Sequence, residues 1–147
     1  MADFIMSDPY ELDLLSLAIQ TQMSAGTFGV LKLFQNNYVP VPGSIIANFV
    51  EATFDGYAAV VMKFISGPFR WFDGSYGPWQ NCSFPMTGST TPNTIYGAFL
   101  LDPTGAYAGA VRFDSPVAMI DHFSICDFLL GITLKQDQII TQIAFVG

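Results

Sequence analysis

Short apolar runs, repeatedly broken by turn residues, are the feature that most limits how this chain folds. "FGVLKLF", "YAAVVM", "TIYGAFLL" and "AYAGAVRF" are each of strand length. Between and beyond them stand "QNN", "YVPVPGS", "TGSTTPN", "DPTG" and "DSP", which carry residues that favour turns and extended connectors. The count comes to about seven to nine short strands after one N-terminal helix, the pattern of an antiparallel β-sandwich or jelly-roll-like domain. Strands and helices do not alternate, which disfavours a nucleotide-binding parallel sheet. No repeat or linker divides the 147 residues. The organisation is therefore read as an N-terminal helical arm over 1–28 and one β-sandwich domain over 29–147.

The clearest local prediction is a hairpin. In "DPTG", Asp102 and Pro103 fit the first two positions of a type I turn and Gly105 the fourth. The flanking strands are "TIYGAFLL" and "AYAGAVRF". Simple alternation places Ile95, Gly97, Phe99 and Leu101 on one face, and Tyr96, Ala98 and Leu100 on the other. Both faces are apolar, so one is expected to meet the opposite sheet and the other the helix or a second subunit. Arg112, nearly alone in an apolar strand, is expected to pair with Asp102 or Asp114 at a seam.

Further along, Leu130, Ile132 and Leu134 alternate with Gly131, Thr133 and Lys135, the pattern of a half-buried strand. "IITQIAFV" reads as a further strand or as an arm reaching a neighbour. In "SIIANFV", Ile45, Ile46, Phe49 and Val50 fit a short helical turn capped by Ser44.

Residues 7–23, "SDPYELDLLSLAIQTQM", read as a helix. Asp8 is placed to cap it, Pro9 suits its first position and Glu11 completes a capping box. Leu12, Leu15, Ile19 and Met23 form one apolar stripe; Leu14, Leu17 and Ala18 form another. Such a helix either sinks into one core or touches two bodies.

Composition narrows the classes of function. Hydrophobic residues are 51% and charged residues 12%, about half the usual charged share. No run approaches the roughly 18–20 apolar residues of a spanning helix. An apolar excess without such a segment is expected where neighbouring chains cover the surface. The net charge is −7 and the five basic residues are scattered, which disfavours nucleic acid. The start "MADFIMSDPYELD" lacks the basic region and apolar stretch of a signal peptide, so synthesis in a cytoplasm without export by the general route is expected. Cys82 and Cys126 read better as two buried thiols than as a disulfide. Neither metal nor cofactor is expected.

Catalytic signals are weak. His122 is the single histidine, in "DHFSICD" beside Asp121, Ser124, Cys126 and Asp127. Triads assemble in space rather than in sequence, so a turn held by Asp121 with a partly exposed His122 is the simpler reading. Asp55 and Asp73 each precede glycine and read first as turn residues.

Phe69, Arg70, Trp71, Phe72, Tyr76 and Trp79 form the strongest candidate for recognition. Aromatic residues and arginine are enriched where proteins bind one another. The same residues could pack internally, or stack on a sugar as a carbohydrate-binding module would.

The order "LKLFQNNYVPVPGSIIANFVEATFDGYAA", then "PNTIYGAFLLDPTGAYAGAVRFDSPVAM", then "GITLKQ", resembles a group of small virion-associated proteins of tailed bacteriophages. The likeness covers roughly residues 30–135. It implies a capsid decoration, cement or tail-associated structural protein, homo-oligomeric (a trimer is one possibility) and in contact with other virion proteins such as a major capsid protein. It implies no enzyme and carries no catalytic residues. "FSICDF" departs from the pattern, in which that strand starts at a polar Gly-Asp turn.

Overall fold

The computed structural model describes residues 4–6, 29–62, 79–135 and 138–146, with side chains over 29–62 and 80–130. The expected helix at 7–23 lies outside them. Eight strands are named among the described residues: β1 (Phe4–Met6), β2 (Gly29–Phe34), β3 (Val60–Met62), β4 (Trp79–Pro85), β5 (Asn93–Leu101), β6 (Tyr107–Met119), β7 (Ile125–Lys135) and β8 (Gln138–Val146). They form two antiparallel sheets, one in the order β1-β6-β5-β2-β3 and one in the order β4-β7-β8. The all-β expectation holds. Phe4–Met6, placed in the helical arm by sequence, instead adds a strand beside Gly109–Val111 of β6.

A single apolar cluster draws side chains from both sheets. Leu31, Leu33, Met62, Ile95, Leu100, Val111 and Met119 come from the larger one; Cys82, Phe84, Cys126, Phe128 and Leu130 come from the smaller. The Phe113 ring meets Phe128 edge-on at 5.2 Å, with one residue from each sheet. The outer face of the smaller sheet shows the polar alternation of a wet surface, with Asn81, Ser83 and Asp127 exposed between buried neighbours.

The hairpin forms where expected. Gly105 N–H donates to the Asp102 carbonyl at 2.9 Å, and Gly105 takes φ of +88°. That left-handed conformation costs glycine little and a side chain more, which explains glycine at the turn's end. The Asp102 carboxylate accepts from the Thr104 N–H at 2.8 Å, the Thr104 hydroxyl at 2.6 Å and the Ala106 N–H at 3.0 Å.

The alternation predicted for β5 is corrected. The pairing with β6 is interrupted between Ile95 and Gly97: Ile95 faces Val117, and Gly97 faces Arg112. The additional residues of β6 form a bulge that includes Pro116, whose missing N–H a regular ladder would not tolerate. The interruption changes which residues share a face. Ile95 joins Ala98 and Leu100 in the main core, whereas Tyr96, Phe99 and Leu101 face outward. "DSP" was expected to end the strand, yet β6 runs through it to Met119.

The chain's end also resolves. "IITQIAFV" forms β8 and pairs with β7, so it is a strand of this sheet. Both cysteines are buried free thiols, as expected. They sit diagonally across the β4–β7 pair, since Cys82 faces Phe128 and Phe84 faces Cys126.

Candidate interaction surface

The outward face of the larger sheet is covered by the chain itself. After β2, residues 35–50 loop back across it. Asn36 closes the loop at its base: its side-chain NH₂ donates to the Asn48 carbonyl at 2.8 Å, and its side-chain oxygen accepts from the Val50 N–H at 2.9 Å. A compact loop with its ends held together is an Ω-loop. Just beyond it, Ala52 N–H donates to the Leu33 carbonyl at 2.9 Å, so the returning chain extends the ladder of β2.

Phe49 is the main anchor. It stacks on Phe99 with ring centroids 5.0 Å apart, and meets Phe34 edge-on at 5.1 Å and Tyr38 at 5.2 Å. Burial of such a ring contributes on the order of 2–3 kcal/mol. Under the loop, the Tyr38 hydroxyl and Ser44 hydroxyl are 2.8 Å apart, and Ser44 Oγ accepts from the Val41 N–H at 2.9 Å. Burial raises the Tyr107 hydroxyl above its ordinary pKa; nearby Tyr38 adds to this, and Ser44 partly offsets it. Ser44 thus braces the loop rather than capping a helix. The short 3₁₀ turn is Ile46–Asn48, and Asn48 Oδ1 reaches back to the Ile45 N–H at 2.8 Å.

Arg112 completes the attachment. Its guanidinium donates to the Tyr38 carbonyl at 2.8 Å and to the Asn37 side-chain oxygen at 2.5 Å, and lies 5.4 Å from the Tyr96 ring centroid. The expected ion pair with Asp102 or Asp114 is corrected. Asp102 is directed into its own turn, and the loop brings neutral acceptors to Arg112. The ion pair Lys32–Glu51, at 3.1 Å, lies instead at the loop's root.

The loop's other side faces water. Val39 is 63% exposed, Ile45 60% and Val50 52%, with Val41 and Ile46 also exposed. No charged residue occurs between Lys32 and Glu51. The result is an aliphatic surface on a braced support. These residues were missed as surface candidates by sequence. The available signal was Pro40 and Pro42, which keep Val39 and Val41 out of a sheet interior.

A second apolar spot lies at the β6–β7 turn. Phe123 is 81% exposed and is flanked by exposed Ile120 and Ile125. The turn is held by Asp121, whose Oδ1 accepts from the Phe123 N–H at 2.9 Å, and by Ser124, whose Oγ accepts from the Ile120 N–H at 3.1 Å. His122 is exposed, with its ring 4.0 Å from that of Phe123. Ser124 is thus occupied with the turn. Burial pushes the Cys126 thiol up to about 12, helped by neighbouring Asp127 and Cys82. This is turn chemistry, not an activated nucleophile. Asp55 is likewise structural, accepting from the Thr90 N–H at 2.7 Å and hydroxyl at 2.8 Å.

Among the other residues singled out by sequence, Leu12, Leu15, Ile19, Phe69, Arg70, Trp71, Phe72 and Tyr76 lie outside the described residues, as does Asp73. The Trp79 backbone starts β4, opposite Gly131. Among the described residues, no group of three His, Cys, Asp or Glu side chains could hold a metal ion, and no helix is long and apolar enough to cross a membrane. No family model, curated protein or solved structure matches the chain.

Proposed function

We propose that this chain is a non-enzymatic structural protein of a virion, which self-associates and decorates or stabilises a capsid or tail. The observation that carries self-association is the exposure of large aliphatic and aromatic side chains, from Val39 to Val50 and at Ile120, Phe123 and Ile125. The apolar excess of the sequence is therefore not consumed by the core. Exposed apolar patches of this kind mark contacts with other proteins. The virion setting rests on the sequence resemblance over residues 30–135.

The architecture is read as a β-sandwich, supported by the core shared between the two sheets. A scaffolding role is supported by what the polar residues of the turns and loops do. Asp55, Asp102, Asp121 and Ser124 all brace turns and loops.

Two measurements test the proposal. Light scattering on a size-exclusion column is expected to give a mass that is a multiple of 16.1 kDa. A monomer at every concentration would remove self-association. Mass spectrometry of purified virions that encode the chain is expected to find it in fixed proportion to the shell or tail proteins. Its absence from them would remove the virion role.

A further inference from the structure

Among the described residues, two exposed apolar spots compete as the place where copies meet, and their charges differ. The β6–β7 tip carries Asp121 and Asp127 close to Phe123. Two tips in symmetric contact would bring four carboxylates together in a chain that already has net charge −7. Like charges at close range oppose such a contact. The Ω-loop has no charge between Lys32 and Glu51, and those two residues neutralise each other at 3.1 Å.

The support beneath also differs from that of an ordinary loop. Asn36, Phe49, Ser44 and Arg112 hold the loop from below, while Val39, Val41, Ile45, Ile46 and Val50 point away. An apolar surface that is already ordered loses little conformational entropy on binding. We infer that the outer side of the Ω-loop, residues 39–50, is the surface through which one copy of this chain binds a second copy. The inference rests on the self-association proposed above and names its site. The charge-free loop lets two acidic chains approach without opposed carboxylates, and the aliphatic side chains supply the attraction.

The test compares Ile45→Asp, Val39→Asp and Phe123→Asp with the unaltered chain by light scattering across a concentration series. Circular dichroism and urea unfolding check each fold, and two separate loop positions guard against one variant failing to fold. Ile45→Asp and Val39→Asp are each expected to weaken association about tenfold or more, because a carboxylate would be desolvated at the contact. Phe123→Asp is expected to leave the mass unchanged. Folded loop variants that keep the parent mass would overturn the inference while leaving self-association standing. Loss of association in Phe123→Asp alone would move the contact to the tip and overturn it too. An unaltered chain that stays monomeric throughout would remove both the inference and the reading beneath it.

Discussion

The Arg112 guanidinium donates to the main-chain carbonyl of Tyr38 at 2.8 Å, joining residues 74 positions apart. Through this bond a strand in the larger sheet fixes the loop that covers it. A half-buried arginine bonded to a carbonyl and an amide oxygen needs no carboxylate to be satisfied. Arg112→Ala is expected to cost about 2 kcal/mol, the scale for hydrogen bonds made by a charged group. Arg112→Lys should recover only part of it, since a single ammonium lacks the planar fork. Urea unfolding followed by tryptophan fluorescence measures both, and an unchanged midpoint for Arg112→Ala would show that the loop holds without it.

Gly97 is set by close approach. A Cβ there would lie 2.2 Å from the Val111 carbonyl oxygen and 2.7 Å from the Phe34 ring. Gly97→Ala is therefore expected to destabilise by about 3 kcal/mol, at the upper end for overpacking. Gly105 has open space around it and φ of +88°, so Gly105→Ala should cost only the backbone conformation, about 1 kcal/mol. Denaturant melts of the pair check the order; equal losses would mean that the β5–β6 backbone yields easily at Gly97.

Asp102 makes stability depend on pH. Partial burial acts to raise its pKa, but hydrogen bonds from Thr104, Ala106 and Gly105 outweigh it and leave the carboxyl below its ordinary value. The folded state thus holds the proton less tightly than the unfolded state. The contribution is full above the unfolded pKa, near 3.9, and is lost as pH falls through the folded pKa. Asp55 acts in the same direction, chiefly through Thr90. The urea midpoint is expected to fall on acidification below about pH 4. Asp102→Asn should flatten part of that slope, and an unchanged slope would separate Asp102 from acid stability.

The thiols are expected to be silent in the native protein. Burial pushes Cys82 up to about 12, partly offset by a backbone hydrogen bond, and pushes Cys126 equally far. Because the thiolate is the reactive form, a colorimetric thiol reagent should react only as fast as the protein opens. Two thiols per chain should then appear at once in denaturant. A fast thiol under native conditions would place one cysteine nearer the surface.

Salt should favour association. The inferred contact has no charge to screen, while the −7 net charge of each copy opposes approach. Raising sodium chloride from about 0.05 M to 0.5 M, a range over which the Debye length falls severalfold, is expected to increase the weight-average mass at a fixed subsaturating concentration. A decrease would indicate that ion pairs hold the copies together.

Where a feature depends on neighbours in sequence, it was legible. Asp102, Pro103 and Gly105 lie within one turn, and their chemistry specifies a hairpin without help from the rest of the chain. The strand character of β2, β5 and β7 follows from apolar runs bounded by turn residues, and the burial of both cysteines from the tendency of free cysteine to pack as a small apolar side chain. The facing of β5 was not legible. Alternation has a period of two, so the interruption between Ile95 and Gly97 parted Ile95 from Phe99 and Leu101 and placed Tyr96 with them on the outer face.

The outer surface depended most on distant contacts. "YVPVPGSIIANFV" read as a connector and a helical turn, because nothing within it shows which side chains find a partner. Phe49 and Ile45 are both large and apolar, yet one is buried against Phe99 and the other is 60% exposed. By itself the sequence determined the β class, the hairpin and an apolar excess too large to ignore, since these arise from local backbone preference and composition. Only the tertiary structure decided where the excess lies. The exposed side of the Ω-loop is defined by what Arg112, Phe49 and Asn36 hold down beneath it, and those contacts join residues far apart in the chain.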